Sequence, residues 1–429
     1  MLCKNNSNSV NLENPLEIAI KLGESIGGDI GATAFQELEL AYVNSILPRF
    51  SNNSLIRMRQ NILLYWHQSY HKSTLLNEFN KCLPDDIKRI FITSNSPETL
   101  FGTINDQNQI VTPLFANVDI ANITELSTFV NARNASDIVN TMNKVLEGEK
   151  CERQLLKLGR RELSDEEISF SCDKGIFYDP IMGQLSYTPN VSVFAGSRPL
   201  DNRTYTYLVT SGYFYRHHII QFELSDQEVK KFLKENHTPD STLYEPLKTL
   251  NIKIKSAKIK IIETPNDCIT NEIMDSLFKV VDEQKSSQTR LGSIIDMRTK
   301  GDIFRELVAA ATLRSLTENG FQDIDQIQYT REDVDFIIRN LEHFIEAKVN
   351  PLFTDTFSKT QSTAERPIEQ VKKLIVEFLA DGNKRSRAEI DAYVQPRCNV
   401  CYATISNAVA KLSKCEDIKG EGFGYYRKK

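Results

Sequence analysis

The sequence predicts an α/β fold: a three-layer domain with a mostly parallel sheet, then a helical domain and a small C-terminal domain. Between about residues 60 and 225, short apolar runs typical of buried strands alternate with segments of helical spacing. This alternation is typical of parallel sheets covered by helices. After about residue 265, the apolar residues recur at helical spacing, which predicts helices.

The bulk composition predicts a protein that is cytoplasmic (nucleoid-associated) or otherwise intracellular. Its 429 residues hold no apolar run close to the ~18 residues of a membrane span, so no membrane partner is expected. The first residues, "MLCKNNSNSVNLENP", are polar and lack the apolar region of a secretory signal. The lone C-x-x-C of Cys398 and Cys401 offers too few ligands for a zinc site.

Charge is distributed unevenly along the chain. The net charge is −5, yet residues 366–429 hold 13 Lys and Arg against 8 Asp and Glu, a local charge of +5. The rest of the chain therefore carries −10. A basic tail on an acidic body favours an anionic partner for the tail.

The first part of the chain divides into a tail and an α/β domain. Residues 1–13 lack periodicity and are expected to be disordered, and residues 14–265 form the predicted α/β domain. Two helical segments lead into it, "NPLEIAIKLGESI" and "TAFQELELAYVNSILPRF". The expected strands are "NILLYW", "RIFITS", "VTPLFANVDIANITEL", "NVSVFAGSRP" and "HHIIQFEL"; the expected helices between them include "KSTLLNEFNKCL" and "ASDIVNTMNKVLEGE".

The second part of the chain is predicted to be mostly helical. Residues 266–354 form a helical lid domain, and residues 355–366 form a polar linker. Residues 367–429 contain three helical segments and a hairpin, the pattern of a winged-helix domain. In that pattern the third helix enters the DNA major groove and the basic wing flanks it. A winged helix is also used to bind proteins.

A possible phosphate loop lies between the first strand and the next helix. "NILLYWHQSYHKSTLL" has the strand, loop, Lys-Ser-Thr and helix order of G-x-x-x-x-G-K-[ST], but Trp66 and His71 stand at the glycine positions. Lys72 is placed to contact a phosphate and Ser73, followed by Thr74, to bind Mg²⁺. Trp66 and His71 are expected to strain the loop and to fill the pocket. The alternative is that Lys72 and Ser73 simply begin a helix.

Taken in order, these segments resemble the ATPase core of the archaeal minichromosome maintenance (MCM) replicative helicases, which are AAA+ proteins. The resemblance runs from about residue 14 to the end, without the family's N-terminal oligonucleotide-binding and zinc-binding region. It implies an AAA+ P-loop-type domain with a helical lid. The segments that carry it are "IKLGESIGGDIGATAFQELELAYVNSIL", "NILLYWHQSYHKSTLL", "FITSNSPETLFGTI", "PLFANVDIANITEL", "MNKVLEGEKCERQLLKLG", "VSVFAGSRP", "SGYFYRHHII" and "DMRTKGDIFRELVAAATLR".

The resemblance assigns ATP and Mg²⁺ as cofactors, but it places altered residues at several catalytic positions. Thr124 stands where the Mg²⁺-ordering Asp belongs, and Glu125 holds the position of the catalytic base. Arg198 replaces the sensor-1 Asn; Arg216 matches the arginine finger, which acts on a neighbouring subunit's nucleotide, and Arg298 matches sensor 2. Each arginine has an alternative role as a surface ion-pair partner. Weak or lost ATP hydrolysis is therefore expected.

The basic surfaces predict contacts with DNA phosphates. A hairpin over "KCERQLLKLGRRE" carries Lys157, Arg160 and Arg161, which in a ring helicase line the channel, although a solvated charge run is the alternative. On or beside the third helix and the wing of the tail lie Arg397, Tyr402, Thr404, Ser406, Asn407, Lys411, Tyr425, Tyr426, Arg427, Lys428 and Lys429.

Three functions are compatible with the sequence. The first is an MCM-like AAA+ protein that binds DNA in replication or a related DNA transaction, as a homo-oligomer or with an MCM-type ring partner, with impaired hydrolysis. The second is an active DNA-dependent ATPase or helicase with a non-standard loop. The third is a non-enzymatic winged-helix transcription regulator or assembly adaptor.

Overall fold

The chain separates into two compact units, unit 1 (Met1–Thr354) and unit 2 (Asp355–Lys429). The predicted tail 1–13, the linker 355–366 and the hairpin residues Lys157, Arg160 and Arg161 lie outside the residues that the structure describes. The computed structural model describes residues 14–52, 57–67, 71–92, 96–104, 110–130, 135–154, 164, 175–179, 182–222, 227, 229–230, 234, 237–285, 291–350, 367–398, 402–414, 418–420 and 425–428.

The described elements of unit 1 mix strands and helices. Its strands are β1 (Ile62–Tyr65), β2 (Arg89–Ile92), β3 (Thr103–Ile104), β4 (Ile110–Val111), β5 (Ile120–Ile123), β6 (Cys151–Gln154), β7 (Ile176–Asp179), β8 (Gln184–Tyr187), β9 (Ser192–Ser197), β10 (His218–Gln221), β11 (Ile259–Ile261) and β12 (Ile324–Gln326). Its helices are α1 (Pro15–Ile46), α2 (Lys72–Lys81), α3 (Pro97–Phe101), α4 (Ser127–Val130), α5 (Ala135–Glu147), α6 (Asn202–Thr210), α7 (Tyr244–Ser256), α8 (Asp267–Gln284), α9 (Met297–Glu318), α10 (Arg331–Arg339) and α11 (Leu341–Val349), with 3-10 turns at Phe214–Arg216, Ser241–Leu243 and Leu291–Ser293.

A five-stranded parallel sheet in the order β10-β1-β9-β5-β2 forms the centre of unit 1. Strands β1, β5 and β9 are buried along their whole length, as parallel strands covered on both faces require. The prediction of an α/β fold with a mostly parallel sheet is confirmed. Along the chain, β1 connects to β2 at one edge, whereas β9 connects past β1 to β10 at the other. The direction of strand addition therefore reverses around β1, which makes its carboxyl end the expected ligand position in such a sheet.

The two lead-in helices predicted from sequence form one helical element, α1, with an interruption. Asn14 caps it, its Oδ1 accepting a hydrogen bond from Leu16 N at 3.0 Å, and Pro15 follows at the first helical position. Gly27 and Gly28 leave helical geometry, Gly28 with φ 57°, so the helix changes direction between its halves.

One hydrophobic core joins the sheet to helices from the beginning of unit 1 and to helices from its end. Leu22 of α1, Phe79 of α2 and Phe194 of β9 belong to it, and so do Leu307 of α9 and Ile345 of α11. The helices of the predicted lid region therefore share a core with the sheet inside unit 1.

A reciprocal amide pair lies inside this α/β region. Asn80 Nδ2 donates to Asn122 Oδ1 at 2.9 Å, and Asn122 Nδ2 donates to Asn80 Oδ1 at 3.1 Å. Both side chains are buried, Asn122 within β5. The pair fixes α2 against the sheet without leaving these amide groups unsatisfied.

Unit 2 is a small α+β unit with its own core. Its elements are α12 (Pro367–Phe378), β13 (Arg385–Ser386), α13 (Arg387–Cys398), α14 (Tyr402–Lys414), β14 (Ile418–Gly420) and β15 (Tyr425–Lys428). The strands form an antiparallel sheet in the order β13-β15-β14. Apolar residues of all three helices and of β14 pack together, among them Ile375, Ile390, Ile405 and Ile418. Every helix among the described residues of the chain is too short or too polar to cross a lipid bilayer.

Candidate phosphate-binding site

The loop between β1 and α2 keeps left-handed backbone at one of the two motif glycine positions. His71 has φ 54° and ψ 16° and directly precedes α2, whose Leu75 N donates to His71 O at 2.7 Å. This region suits glycine, and a non-glycine residue there costs ~1–3 kcal/mol. Trp66, at the first glycine position, does not have a positive φ, so the expected strain is present only at His71.

Lys72 is the first residue of α2, and its side chain turns back into the loop. Its Nζ donates to Trp66 O at 2.7 Å and to His67 O at 2.8 Å, and lies 5.5 Å from the Trp66 ring centre. Only 6% of the residue is exposed. Burial lowers the pKa of the Lys72 ammonium to about 8, although the charge of Glu125 opposes this shift. The ammonium therefore satisfies loop carbonyls in the position where a phosphate is expected.

Trp66 packs into the hydrophobic core. It is 2% exposed, its ring lies 5.4 Å from that of Phe222, and its N donates to Ser197 O at 3.3 Å. The start of the loop is thus anchored by the Trp66 backbone to the end of β9 and by the Trp66 ring to Phe222 after β10. His71 is exposed beside His237, with ring centres 6.3 Å apart; burial and then the charge of His237 lower its pKa.

The remaining predicted nucleotide residues lie at the same, carboxyl edge of the sheet. Thr124 and Glu125 follow β5, and Glu125 Oε1 accepts from Ser127 N at 3.2 Å. A Cβ added to Gly196 of β9 would lie 3.0 Å from Thr124 O and 3.5 Å from Lys72 Cβ, so these strand ends are close neighbours. Ser73 and Arg198 are exposed, and Thr74 is half-buried.

Asp119 is held at the opposite end of β5. Arg59 Nη2 lies 3.3 Å from its Oδ1, and Lys88 N donates to its Oδ2 at 3.1 Å. Because it precedes β5 and is already engaged, Asp119 does not replace the carboxylate that is missing at Thr124.

Arg216 and Arg298 come together, but at the amino edge of the sheet. Arg216 Nε lies 2.8 Å and Arg298 Nη2 2.6 Å from the same oxygen, Glu147 Oε1. Burial opposes ionisation of Glu147, yet the Arg298 hydrogen bond and the Arg216 charge hold its pKa below the ordinary value. Arg216 precedes β10 and Lys72 follows β1, so about four residues of strand, roughly 13 Å, separate the two positions.

Sequence inspection missed the cavity that surrounds these arginines. It measures about 320 Å³, and its lining includes Arg57, Arg59 and Arg305 as well as Arg216 and Arg298. Arg57 and Arg59 come just before β1. This position places them at the amino edge of a parallel sheet, and it is the one sequence signal that could have indicated their place in the cavity. Arg305 lies inside α9, and nothing in the sequence marks it.

In unit 2 the outward face of α14 is polar and basic. Ile405, Ala408 and Leu412 face the core, whereas Asn407 and Lys411 are exposed one helical turn apart. The side chains of Tyr402 and Thr404 lie outside the described set. Other exposed predicted residues are Arg397, which stacks 3.9 Å from the Tyr393 ring centre, Ser406, whose hydroxyl accepts from Arg387 at 2.8 Å, and Arg427, Lys428 and Tyr425 on β15.

No protein-family model and no curated protein matches this chain.

Proposed function

We propose that this chain is an MCM-like AAA+ protein that binds DNA, with weak or lost ATP hydrolysis, in DNA replication or a related DNA transaction. The observation that carries the proposal is the left-handed backbone of His71, in the last glycine position of the motif, directly before Lys72. Positive φ is uncommon for residues other than glycine, and among the described residues only Asn117 and Phe321 share it with His71, so its occurrence at a glycine position of the motif supports this ancestry.

Three features support impaired hydrolysis. Lys72 must release two carbonyls before it contacts a phosphate. Thr124 supplies no carboxylate for Mg²⁺, and Asp119 is engaged elsewhere. Phosphoryl transfer depends on positioning and on stabilisation of charge by metal and cations, so these losses reduce the rate even where nucleotide still binds.

The positions of Arg216 and Arg298 favour an oligomer. At the far end of the strands from Lys72, they cannot reach a nucleotide bound at that lysine in their own chain. In this proposal they act on the nucleotide of a second copy or of an MCM-type ring partner, and Glu147 orients them while the partner is absent.

The proposed DNA contacts come from unit 2. Three helices and a β-hairpin support a winged-helix assignment, in which α14 enters the major groove and β14–β15 form the wing. Lys411, Arg427 and Lys428 are exposed, as phosphate contacts require. The same unit also supports the third candidate function, a regulator or adaptor without enzymatic activity.

ATP turnover by the full chain, with duplex and single-stranded DNA present, tests the proposal. We expect turnover well below ~1 s⁻¹, the low end of ordinary enzymes. Turnover at or above that value, abolished in Lys72→Ala and retained in Lys81→Ala, would establish an active ATPase instead. Lys81 is a matched control because it lies at the exposed end of the same helix.

Two binding measurements separate the remaining candidates. Fluorescent ATP is titrated into the full chain with and without Mg²⁺; no binding at millimolar nucleotide would exclude the active ATPase. Gel shifts at low salt then test DNA. Failure to shift any duplex or single strand contradicts the proposal and favours protein partners.

A further inference from the structure

Three potential metal ligands converge in the interior of unit 1, near the amino edge of the sheet, where His218 begins β10 two residues after Arg216. Glu37 comes from α1, His218 from β10 and Glu306 from α9. His218 Nε2 lies 3.6 Å from Glu37 Oε2 and 3.6 Å from Glu306 Oε1. One ligand atom from each residue lies within 4.8 Å of the others, and the residues are 1–3% exposed.

Two of these buried atoms lack a hydrogen-bond partner. Glu37 Oε2 and His218 Nε2 are buried and form no hydrogen bond. Unsatisfied polar atoms are rare in protein interiors and disfavour folding. The two unsatisfied atoms lie 3.6 Å from each other.

Neighbouring amides hold the carboxylates in place. Gln36 Nε2 donates to Glu37 Oε1 at 3.0 Å, and Gln60 Nε2 donates to Glu306 Oε1 at 3.1 Å. Asn44 Nδ2 in turn donates to Gln60 Oε1 at 3.1 Å. Such outer hydrogen bonds orient the ligands of protein metal sites.

We propose that Glu37, His218 and Glu306 bind a divalent transition-metal ion, best matched by Zn²⁺. Imidazole and carboxylate ligands suit Zn²⁺, and bonds of ~2.0–2.2 Å in tetrahedral geometry place neighbouring ligand atoms roughly 3.3–3.6 Å apart. The two separations from His218 Nε2, each 3.6 Å, lie at the upper end of this range. Two carboxylates also balance the charge of the ion.

The chemistry of the three groups fits this role. Burial lowers the pKa of His218 to about 3, so the imidazole is neutral and its nitrogen lone pair is available. Burial raises the pKa of Glu37 and of Glu306, and a bound cation would oppose this shift by stabilising both carboxylates. The nearby ammonium of Lys348 is directed elsewhere: it donates to Thr299 Oγ1 at 2.5 Å and lies 4.0 Å from Asp296.

The ion would join three parts of unit 1 that are distant in sequence. It would fasten α1 and α9 to β10, the edge strand of the sheet. The three ligands are 1–3% exposed, so a substrate does not reach the ion and its proposed role is structural; a water molecule would take the fourth tetrahedral position. This role does not depend on nucleotide or DNA binding.

The test uses the full chain, stripped with chelator and then loaded with ZnCl₂. We expect one Zn²⁺ per chain after gel filtration, by elemental analysis, and a higher thermal midpoint than for the stripped protein. Glu306→Gln should bind Zn²⁺ at least ~10-fold more weakly and lose the Zn²⁺-dependent shift. Glu39→Gln is the matched control, because Glu39 is buried on the same helix as Glu37 but lies against Asn251; it should behave like the wild type.

A measurement on the wild type keeps the test decisive if Glu306→Gln fails to fold. Co²⁺ added to the stripped wild type should give the visible absorption of a nitrogen- and oxygen-ligated ion, which Zn²⁺ then abolishes. Folded wild type that takes up neither ion, or Zn²⁺ bound equally by Glu306→Gln, would overturn the proposal. The cluster would then be a proton-sharing carboxyl pair.

Discussion

Replacing Lys72 by methionine should change how the stability of unit 1 depends on pH. The pKa of Lys72 is 10.5 when the chain is unfolded and about 8 in the fold. Between these values the unfolded chain binds the proton that the folded chain has released. The free energy of unfolding therefore rises with pH in this window. Lys72→Met has no such group and should lack this rise.

The magnitude follows from the size of the shift. Each pKa unit corresponds to about 1.4 kcal/mol, so the full shift from 10.5 to about 8 corresponds to ~3.5 kcal/mol. His67 and His71, on the same loop, are exposed, so solvent screens the site and we expect about 1–2 kcal/mol. The physical cause is the cost of keeping a charged ammonium beneath the loop, which disappears once Lys72 is neutral.

The fluorescence of Trp66 provides the assay, because it is the chain's single tryptophan and it contacts Lys72. Denaturant unfolding at several pH values from 7 to 10.5 gives the free energy for each protein. The wild type should gain about 1–2 kcal/mol relative to Lys72→Met over this range. Lys81→Met should follow the wild-type profile. The reasoning would be refuted if the free energy of unfolding of the wild type, minus that of Lys72→Met, stayed constant or fell as the pH rose.

Other predictions concern different parts of the chain. Asn122→Leu should lower the free energy of unfolding by about 2–3 kcal/mol, because it leaves the buried Oδ1 of Asn80 without a donor. The double replacement with Asn80→Leu should recover most of that loss in a double-mutant cycle; additive losses would contradict the pairing. Glu147→Gln should destabilise by about 1 kcal/mol at pH 7, and this difference should shrink as the pH falls from 4.5, the ordinary value, through the lowered pKa of Glu147. A difference that grows as the pH is lowered below 4.5 would exclude this. In salt-dependent gel shifts, Lys411→Glu should weaken DNA binding about 10-fold, and equal affinity would remove α14 from the interface.

Sequence patterns located the sheet and the predicted phosphate loop because they depend on local signals. The apolar run of β1 and the Lys-Ser-Thr at the start of α2 need no knowledge of distant residues. The α1 interruption was predicted less accurately. Gly27 and Gly28 separate two helical patterns, but sequence does not decide between a loop and a kink.

Contacts between residues that are far apart in the sequence could not be predicted from it. The Trp66 side chain was expected to fill the pocket, yet its direction depends on Phe222, which lies far along the chain. Glu37, His218 and Glu306 look like ordinary helix and strand residues, and only the packing of α1, β10 and α9 brings them together. The burial that lowers the pKa of Lys72 likewise depends on the whole fold.

The order of strands in the sheet has a consequence for synthesis on the ribosome. Among the described residues β1 pairs with β9 and β10, so its first partner is translated roughly 130 residues later, at ~5–20 residues per second. The apolar segment "ILLY" is therefore without its hydrogen-bonding neighbours for roughly 6–26 s. Soluble yield during expression should accordingly respond to translation speed and to chaperone supply, and most strongly while residues 66–191 are being made.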